Sequence, residues 1–346
     1  MISDSGGMFE MEPLPGATFG RRLRLRRRGD ARAVTAAAEA APEALPNALY
    51  AGDGLLLLPG MHGIADEPSL LLRLSRLFGP EVENYRYTLT PRHMVHDGVP
   101  EIFIVSNLPP VNRQPPPRPE PARNADGGLP TQFPQRRGWH TDQSYRRPPP
   151  DVSLFFAVLP SQKGQGQTLF ANGIAACAAL PPALKARVDA LVGLHVKPGS
   201  GRSEKAVRAG ETPQPLQPHE RPQRQPVVRV HPVTGKPSLY LCEAGQMDWV
   251  QGPFVGMQSG PDGDGARLLY EIMTHFTQPQ FTYAHEWEQG DLVVWDNRSL
   301  VHAATWYDAA KEKRLMWRTT VRGNPGAEYA GEAKSWIPKS ALQAAG

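Results

Sequence analysis

The sequence predicts a mainly β fold, an antiparallel sandwich or jelly roll decorated with α-helices, on three observations. The chain carries 37 prolines and 33 glycines in 346 residues, more than helical bundles tolerate, because proline removes a backbone donor and glycine weakens element interiors. Its apolar runs are short and strand-like, and they recur between turn-rich stretches. Only three segments show helical periodicity. Hydrophobic residues make up 40% and charged residues 21%, enough to bury a core over most of the length. A β-sandwich of this size can be one unit, so a single domain over 1–346 is expected.

The elements follow in order. Arg22, Arg24 and Arg26 alternate with Leu23 and Leu25, the period of a half-exposed strand. Leu55 to Leu58 is a short buried strand stopped by Pro59-Gly60, and nothing approaches the ~18 to 20 apolar residues of a membrane span. Leucines 70, 71, 74 and 77 with Phe78 mark an amphipathic helix over 67–79 that closes at a glycine. A strand follows at 101–106. Residues 108–128 are rich in proline and asparagine, and 198–226 in proline, glutamine and charge. Two long loops, 108–135 and 198–226, are therefore expected, either of which could serve as an active-site lid. The continuous apolar run 152–158 is a strand, and 183–192, opened by Pro181-Pro182, is a helix with proline at its start. Strands at 238–242, 281–286, 291–295 and 315–321 and a helix at 266–276 complete the reading.

Charge and cysteine content narrow the class. A net charge of +4 and the arginines between 21 and 28 raise nucleic acid as a partner, but no aromatics are interleaved for base stacking. A solvated strand face is the better account. Cys177 and Cys242 are the two cysteines, too few for a disulfide framework or a cysteine-rich metal site; both are expected reduced and buried. The N-terminus has no apolar stretch after a basic start, so no secretory signal is read and a cytoplasmic protein without membrane contact is expected.

Chemistry concentrates at His140-Thr141-Asp142. On a strand, residues i and i+2 point to one face, so an imidazole and a carboxylate would converge there. A histidine from a distant strand would complete the two-histidine, one-carboxylate face typical of non-haem Fe(II) oxygenases. The pair by itself is weak evidence, since about one such match arises by chance in a chain of this composition. Its setting adds weight: Gly138 to Tyr145 lies between the proline-rich loop and a buried strand, on the loop rim where sites belong.

Here the chain resembles the TauD/TfdA family of taurine and dichlorophenoxyacetate dioxygenases. The resemblance rests on Trp139-His140-Thr141-Asp142, the glycine-rich turn Gly164-Gln165-Gly166-Gln167-Thr168, Val230-His231-Pro232 and Trp295-Asp296-Asn297-Arg298. It covers most of 130–323, while the first hundred residues match loosely. It implies a double-stranded β-helix of the jelly-roll, cupin-like kind, and iron(II) and 2-oxoglutarate as cofactor and co-substrate. His140, Asp142 and His302 resemble the metal ligands, and Thr168 and Arg314 the pair that binds the C5 carboxylate of 2-oxoglutarate. Arg318, four residues beyond Arg314, resembles the group near the C1 carboxylate and the substrate anion. His231 reads as structural.

The reaction so implied is hydroxylation of a small organic substrate by O2, with 2-oxoglutarate becoming succinate and CO2, in a homo-oligomer (dimer or tetramer). A sulfonate, sulfate ester, aryloxyalkanoate or carboxylate is expected, with Arg136, Tyr145, Phe170 and Trp139 as candidate substrate contacts. Taurine fits poorly, because Arg136 stands where a neutral polar residue is expected and no histidine follows Phe78-Gly79. Two rival readings, a non-catalytic metal-binding jelly roll and a zinc hydrolase, share the triad. Neither needs the Thr168–Arg314 clamp, and closed structural zinc sites generally use four protein ligands.

Overall fold

The computed structural model describes residues 7–133, 138–243 and 245–323. Its frame is a seven-stranded sheet in the order Phe9–Pro13, Arg21–Leu25, Leu55–Leu58, Leu292–Asp296, Val152–Leu159, Leu315–Val321, Phe103–Ser106. Facing it is a three-stranded sheet of Thr282–His285, Thr168–Asn172 and Leu300–Ala304. Side chains of successive strand residues alternate between faces, and the cores follow that period. Phe155, Val293, Trp295 and Met316 from the large sheet meet Phe170 and Leu300 from the small one in a single cluster. On the small sheet's other face, Leu169, Ala171, Val301 and Ala303 pack with the helix Asp264–Phe276. The large sheet's outer face carries Leu154, Phe156, Val294 and Trp317 against the helices Ala31–Ala40, Ala44–Ala51 and Ser69–Arg76.

One pairing departs from the antiparallel expectation. Arg21–Leu25 runs parallel to Leu55–Leu58, because the two helices Ala31–Ala40 and Ala44–Ala51 lie between them as a crossover, which parallel strands require. Asp30 caps the first of these helices, accepting from the Ala33 amide at 2.9 Å. An alanine-rich stretch has little apolar contrast between its faces, so its periodicity is faint in sequence.

Several element boundaries also differ, among them the strand expected over 238–242, which is Pro237–Leu239. The helix expected over 67–79 is Ser69–Arg76, capped at Leu77 and not at a glycine. Gly79 has another reason to be glycine: a Cβ there would stand 2.7 Å from Val321 Cγ1. The helix expected over 183–192 is Pro182–Val188, and Val192–His195 is instead a strand paired with Gln223–Pro226. The segment 198–226 is therefore not a plain loop; it also holds the helix Glu204–Arg208. Gln225 hides that strand in sequence, being polar yet fully buried, with its amide donating to the carbonyls of Ser144 and Arg146. By contrast, 108–133 carries no helix or strand. No helix among the described residues is long and apolar enough to cross a membrane, and both cysteines are free and buried.

Candidate metal and carboxylate site

Register between the sheets decides what meets. Leu300–Ala304 pairs with Thr168–Asn172 so that His302 lies opposite Phe170 and Ala304 opposite Thr168. Residues paired this way share a face, so Thr168 and His302 both turn toward the large sheet. His140 then joins by an isolated bridge, its amide donating to the His302 carbonyl at 3.0 Å and its carbonyl accepting in return at 2.7 Å. The strand expected for His140-Thr141-Asp142 is thus a single bridge followed by a turn. Convergence survives because Asn297 holds the turn: Thr141 Oγ1 donates to the Asn297 carbonyl at 2.7 Å, and the Asp142 amide to Asn297 Oδ1 at 3.3 Å.

The outcome is one cluster in which a ligand atom from each of His140, Asp142 and His302 lies within 4.8 Å of the others. Among the described residues it is the one group of three or more metal-ligating side chains. His140 Nδ1 is 2.7 Å from the Gly138 carbonyl. A carbonyl can only accept, so Nδ1 carries the proton and Nε2 keeps its lone pair. Ser153 donates to Asp142 Oδ2 at 2.7 Å, leaving Oδ1 to face His302 Nε2 at 3.9 Å. The His302 ring is nearly buried, and its Nδ1 has no hydrogen-bond partner.

Electrostatics prepare the same donor set. Burial pushes His302 down to about 3, with His140 adding to the effect, and burial lowers His140 as well. Both rings are therefore neutral at neutral pH. Burial alone would raise the Asp142 carboxyl, but Arg318, the two histidines and the Ser153 hydroxyl outweigh it and hold it well below the usual carboxylate range. Two neutral imidazoles and one carboxylate converging at this distance fit a divalent ion such as Fe(II), with coordination positions left open.

A cavity of about 330 Å³ opens beside this cluster, and Thr168, Arg314 and Arg318 line it with His140 and His302. Arg314 and Arg318 share the cavity because alternation is intact along their strand. The register shift between Leu315 and Met316 places its extra residue, Val158, on the neighbouring strand. Arg314 is 6% exposed, its Nε has no partner, and its Nη2 reaches only the Gly166 carbonyl at 3.5 Å. Burial without a carboxylate lowers its basicity to about 10. Thr168 Oγ1 accepts from Trp287 Nε1 at 3.1 Å, which fixes the hydroxyl's orientation.

Other expected site residues fall elsewhere. Phe170 does not line the cavity; it is fully buried behind His302, with ring centroids 6.2 Å apart. Trp139 is likewise buried and donates from Nε1 to the Thr131 carbonyl. Tyr145 lines an adjoining cavity with Tyr85 and Phe103, and the Arg318 guanidinium lies 5.2 Å from the Phe103 ring centroid. Arg136 lies outside the described residues. His231, read as structural, is buried and paired to Asp296 at 2.9 Å, while Asp296 also takes a bidentate contact from Arg298.

Sequence reasoning missed Ser153, whose signal was one hydroxyl inside the apolar run Val152–Leu159. Arg113 was missed too; it lines the cavity from the proline-rich segment.

Facing sheets that carry a two-histidine, one-carboxylate cluster beside a buried arginine with no carboxylate partner among the described residues define a protein with the donor set of a mononuclear non-haem metal site. The sequence profile of the taurine catabolism dioxygenase TauD, TfdA family matches residues 10–320, and the chain belongs to that family. It is 34% identical over 197 residues to the (S)-phenoxypropionate/alpha-ketoglutarate-dioxygenase of Sphingobium herbicidovorans, covering 56% of this chain and 64% of the relative. It is 32% identical over 183 residues to the alpha-ketoglutarate-dependent 2,4-dichlorophenoxyacetate dioxygenase of Cupriavidus pinatubonensis, covering 53% and 59%. The matched regions thus span just under two thirds of these relatives. The crystal structure of AAD-2 in complex with Mn(II) and N-oxalylglycine superposes with a TM-score of 0.62 and 26% identity, over 91% of this chain and 98% of that one. A taurine dioxygenase from Burkholderia xenovorans gives 0.63 at 24% identity over 97% and 98%, a likeness of fold.

Proposed function

We propose that the protein is an iron(II)- and 2-oxoglutarate-dependent dioxygenase of double-stranded β-helix fold, hydroxylating a small anionic organic substrate with release of succinate and CO2. One observation carries the reading: Arg314 is a buried guanidinium with no carboxylate partner among the described residues, in the same cavity as His140 and His302. Leaving such a group unpaired is costly, so the site is built for an acid that arrives from solution. A planar guanidinium matches a carboxylate through paired donors, and Thr168 lines the same cavity and would complete the contact. A structural zinc site or a hydrolase would have no use for that clamp.

In this reading His140, Asp142 and His302 hold the metal, and Thr168 with Arg314 holds the distal carboxylate of 2-oxoglutarate. The bound Fe(II) supplies O2 activation coupled to oxidative decarboxylation of the co-substrate. The chain's residues contribute position and charge. Ser153 and Arg318 keep Asp142 ionised and aimed, and Gly138 fixes the His140 tautomer. Phe170 and Trp295 back the His302 ring, and Arg113 to Pro116 of the proline-rich segment form one wall of the cavity. The relatives named for aryloxyalkanoate substrates support an organic acid.

The test is anaerobic titration of the purified protein with Fe(II) and then 2-oxoglutarate. A visible metal-to-ligand charge-transfer band is expected on the second addition. Failure of that band to appear with iron bound would end the oxygenase reading.

A further inference from the structure

Three arginines line the cavity, and two of them already have work. Arg318 donates to Asp142 Oδ1 at 2.8 Å, and Arg314 is the carboxylate clamp proposed above. Arg113 is the third, and its guanidinium has no hydrogen-bond acceptor or ion-pair partner among the described residues. It is exposed at the cavity mouth, as a group awaiting a ligand from solution would be. Even so, its surroundings depress its basicity, through desolvation first and then the nearby Arg318.

The loop holds Arg113 in a defined place. Its amide donates to the Ser106 carbonyl at 2.8 Å, and the Ser106 hydroxyl donates to the Arg314 carbonyl at 2.7 Å. Asn107 adds a reciprocal pair, its amide donating to the Arg314 carbonyl while its Oδ1 accepts from the Arg314 amide. Further along, the Arg118 guanidinium stacks 4.9 Å from the Trp306 ring centroid, pinning the segment against the small sheet's side of the molecule. Arg113 is thus tied to the same strand end as the clamp while projecting from a different backbone.

Charge points the same way. Among the described residues the cavity wall has three guanidinium groups and no carboxylate, with Asp142 just behind Arg318. A divalent metal adds two positive charges and the 2-oxoglutarate dianion removes two, so the loaded cavity still carries an excess of two. A neutral substrate leaves that excess uncompensated. Resting on the oxygenase reading above, we propose that Arg113 binds the anionic group of the substrate and makes the site select organic acids over their neutral analogues. The substrate acid enters under the proline-rich segment, at the mouth, and is held apart from the carboxylate clamped by Arg314.

The test is calorimetric binding to protein loaded anaerobically with Fe(II) and 2-oxoglutarate, using phenoxyacetate against phenoxyacetamide and octanesulfonate against octanesulfonamide. Wild type is expected to prefer at least one acid by tenfold or more. Arg113→Gln is expected to lose about 10- to 100-fold in affinity for that acid, the range of a charge-assisted contact. It should bind the amide as before and keep its 2-oxoglutarate affinity. Arg113→Lys, which retains charge without the planar fork, is expected to keep part of the preference, and matching thermal melts guard against misfolding. The proposal is overturned if wild type prefers neither acid, if Arg113→Gln keeps the preference, or if its loss falls on 2-oxoglutarate. Absence of the charge-transfer band in wild type would instead count against the oxygenase reading itself.

Discussion

Arg318 Nη1 lies 2.8 Å from Asp142 Oδ1, the same oxygen that stands 3.9 Å from His302 Nε2. The guanidinium therefore holds the carboxylate ionised at the atom that faces the imidazoles, while Ser153 fixes the other oxygen. With His140, Asp142 and His302 as the residues that would hold a metal, the carboxylate's aim would depend on Arg318 and Ser153, two groups outside that set.

Ser153→Ala removes the hydroxyl on Oδ2 and frees the carboxylate to rotate. Losses of this kind in the support of a metal ligand cost about 10- to 100-fold in metal affinity. Fe(II) titration should show that weakening with the fold intact, whereas Asp142→Ala should abolish iron-dependent succinate formation. Unaltered iron affinity in Ser153→Ala would show that the serine has no such positioning role.

Arg314→Ala should raise the 2-oxoglutarate concentration needed for half-maximal succinate release by about 10- to 100-fold, as expected for loss of a charge-assisted pair. Iron affinity should stay near wild type. An unchanged 2-oxoglutarate requirement would refute the clamp.

Deleting residues 1–30 should cost folding as well as any surface charge. Arg21–Leu25 pairs with the fully buried Leu55–Leu58, and its removal leaves an apolar strand edge open to aggregation. Size-exclusion profiles should show aggregates or a melting temperature far below that of the full chain; a monodisperse, equally stable product would contradict this.

His195, outside the metal cluster, gives a pH signature of its own. It is fully buried, with Nδ1 on the Ser144 hydroxyl at 2.8 Å, and burial aided by Arg229 depresses it to about 3. The unfolded chain then binds the extra proton first, so this contribution is complete above about pH 6.5 and is lost as pH falls from there toward 3. The slope approaches about 1.4 kcal/mol per pH unit within that window. His195→Gln should flatten the dependence of denaturant stability on pH between 6 and 4 by up to one proton. An identical slope in the variant would exclude His195 as its source.

Much of the site was legible because its chemistry is local in sequence. His140 and Asp142 are two residues apart, Trp295 to Arg298 form one short run, and Arg314 and Arg318 have the i, i+4 spacing of a single strand face. The strands Leu55–Leu58 and Leu315–Val321 were read to the residue, since an uninterrupted apolar run and a short stretch rich in aromatic and β-branched residues both favour extended backbone. The strand Gln223–Pro226 and the helix Ala31–Ala40 were not, because Gln225 is polar though buried and the alanines give little amphipathic contrast.

The sequence by itself determined the residue types: two histidines and a carboxylate of metal-ligating chemistry, guanidinium groups spaced on one strand face, and short apolar runs for a two-sheet core. Only the tertiary structure decided which of them share a space. It drew Phe170 and Trp139 into the interior, moved Tyr145 to an adjoining cavity, and brought Arg113 to the mouth. Periodicity reports the face on which a side chain lies, but sheet pairing and loop anchoring over some 200 residues set what stands opposite that face, and these carry no signal within any one segment.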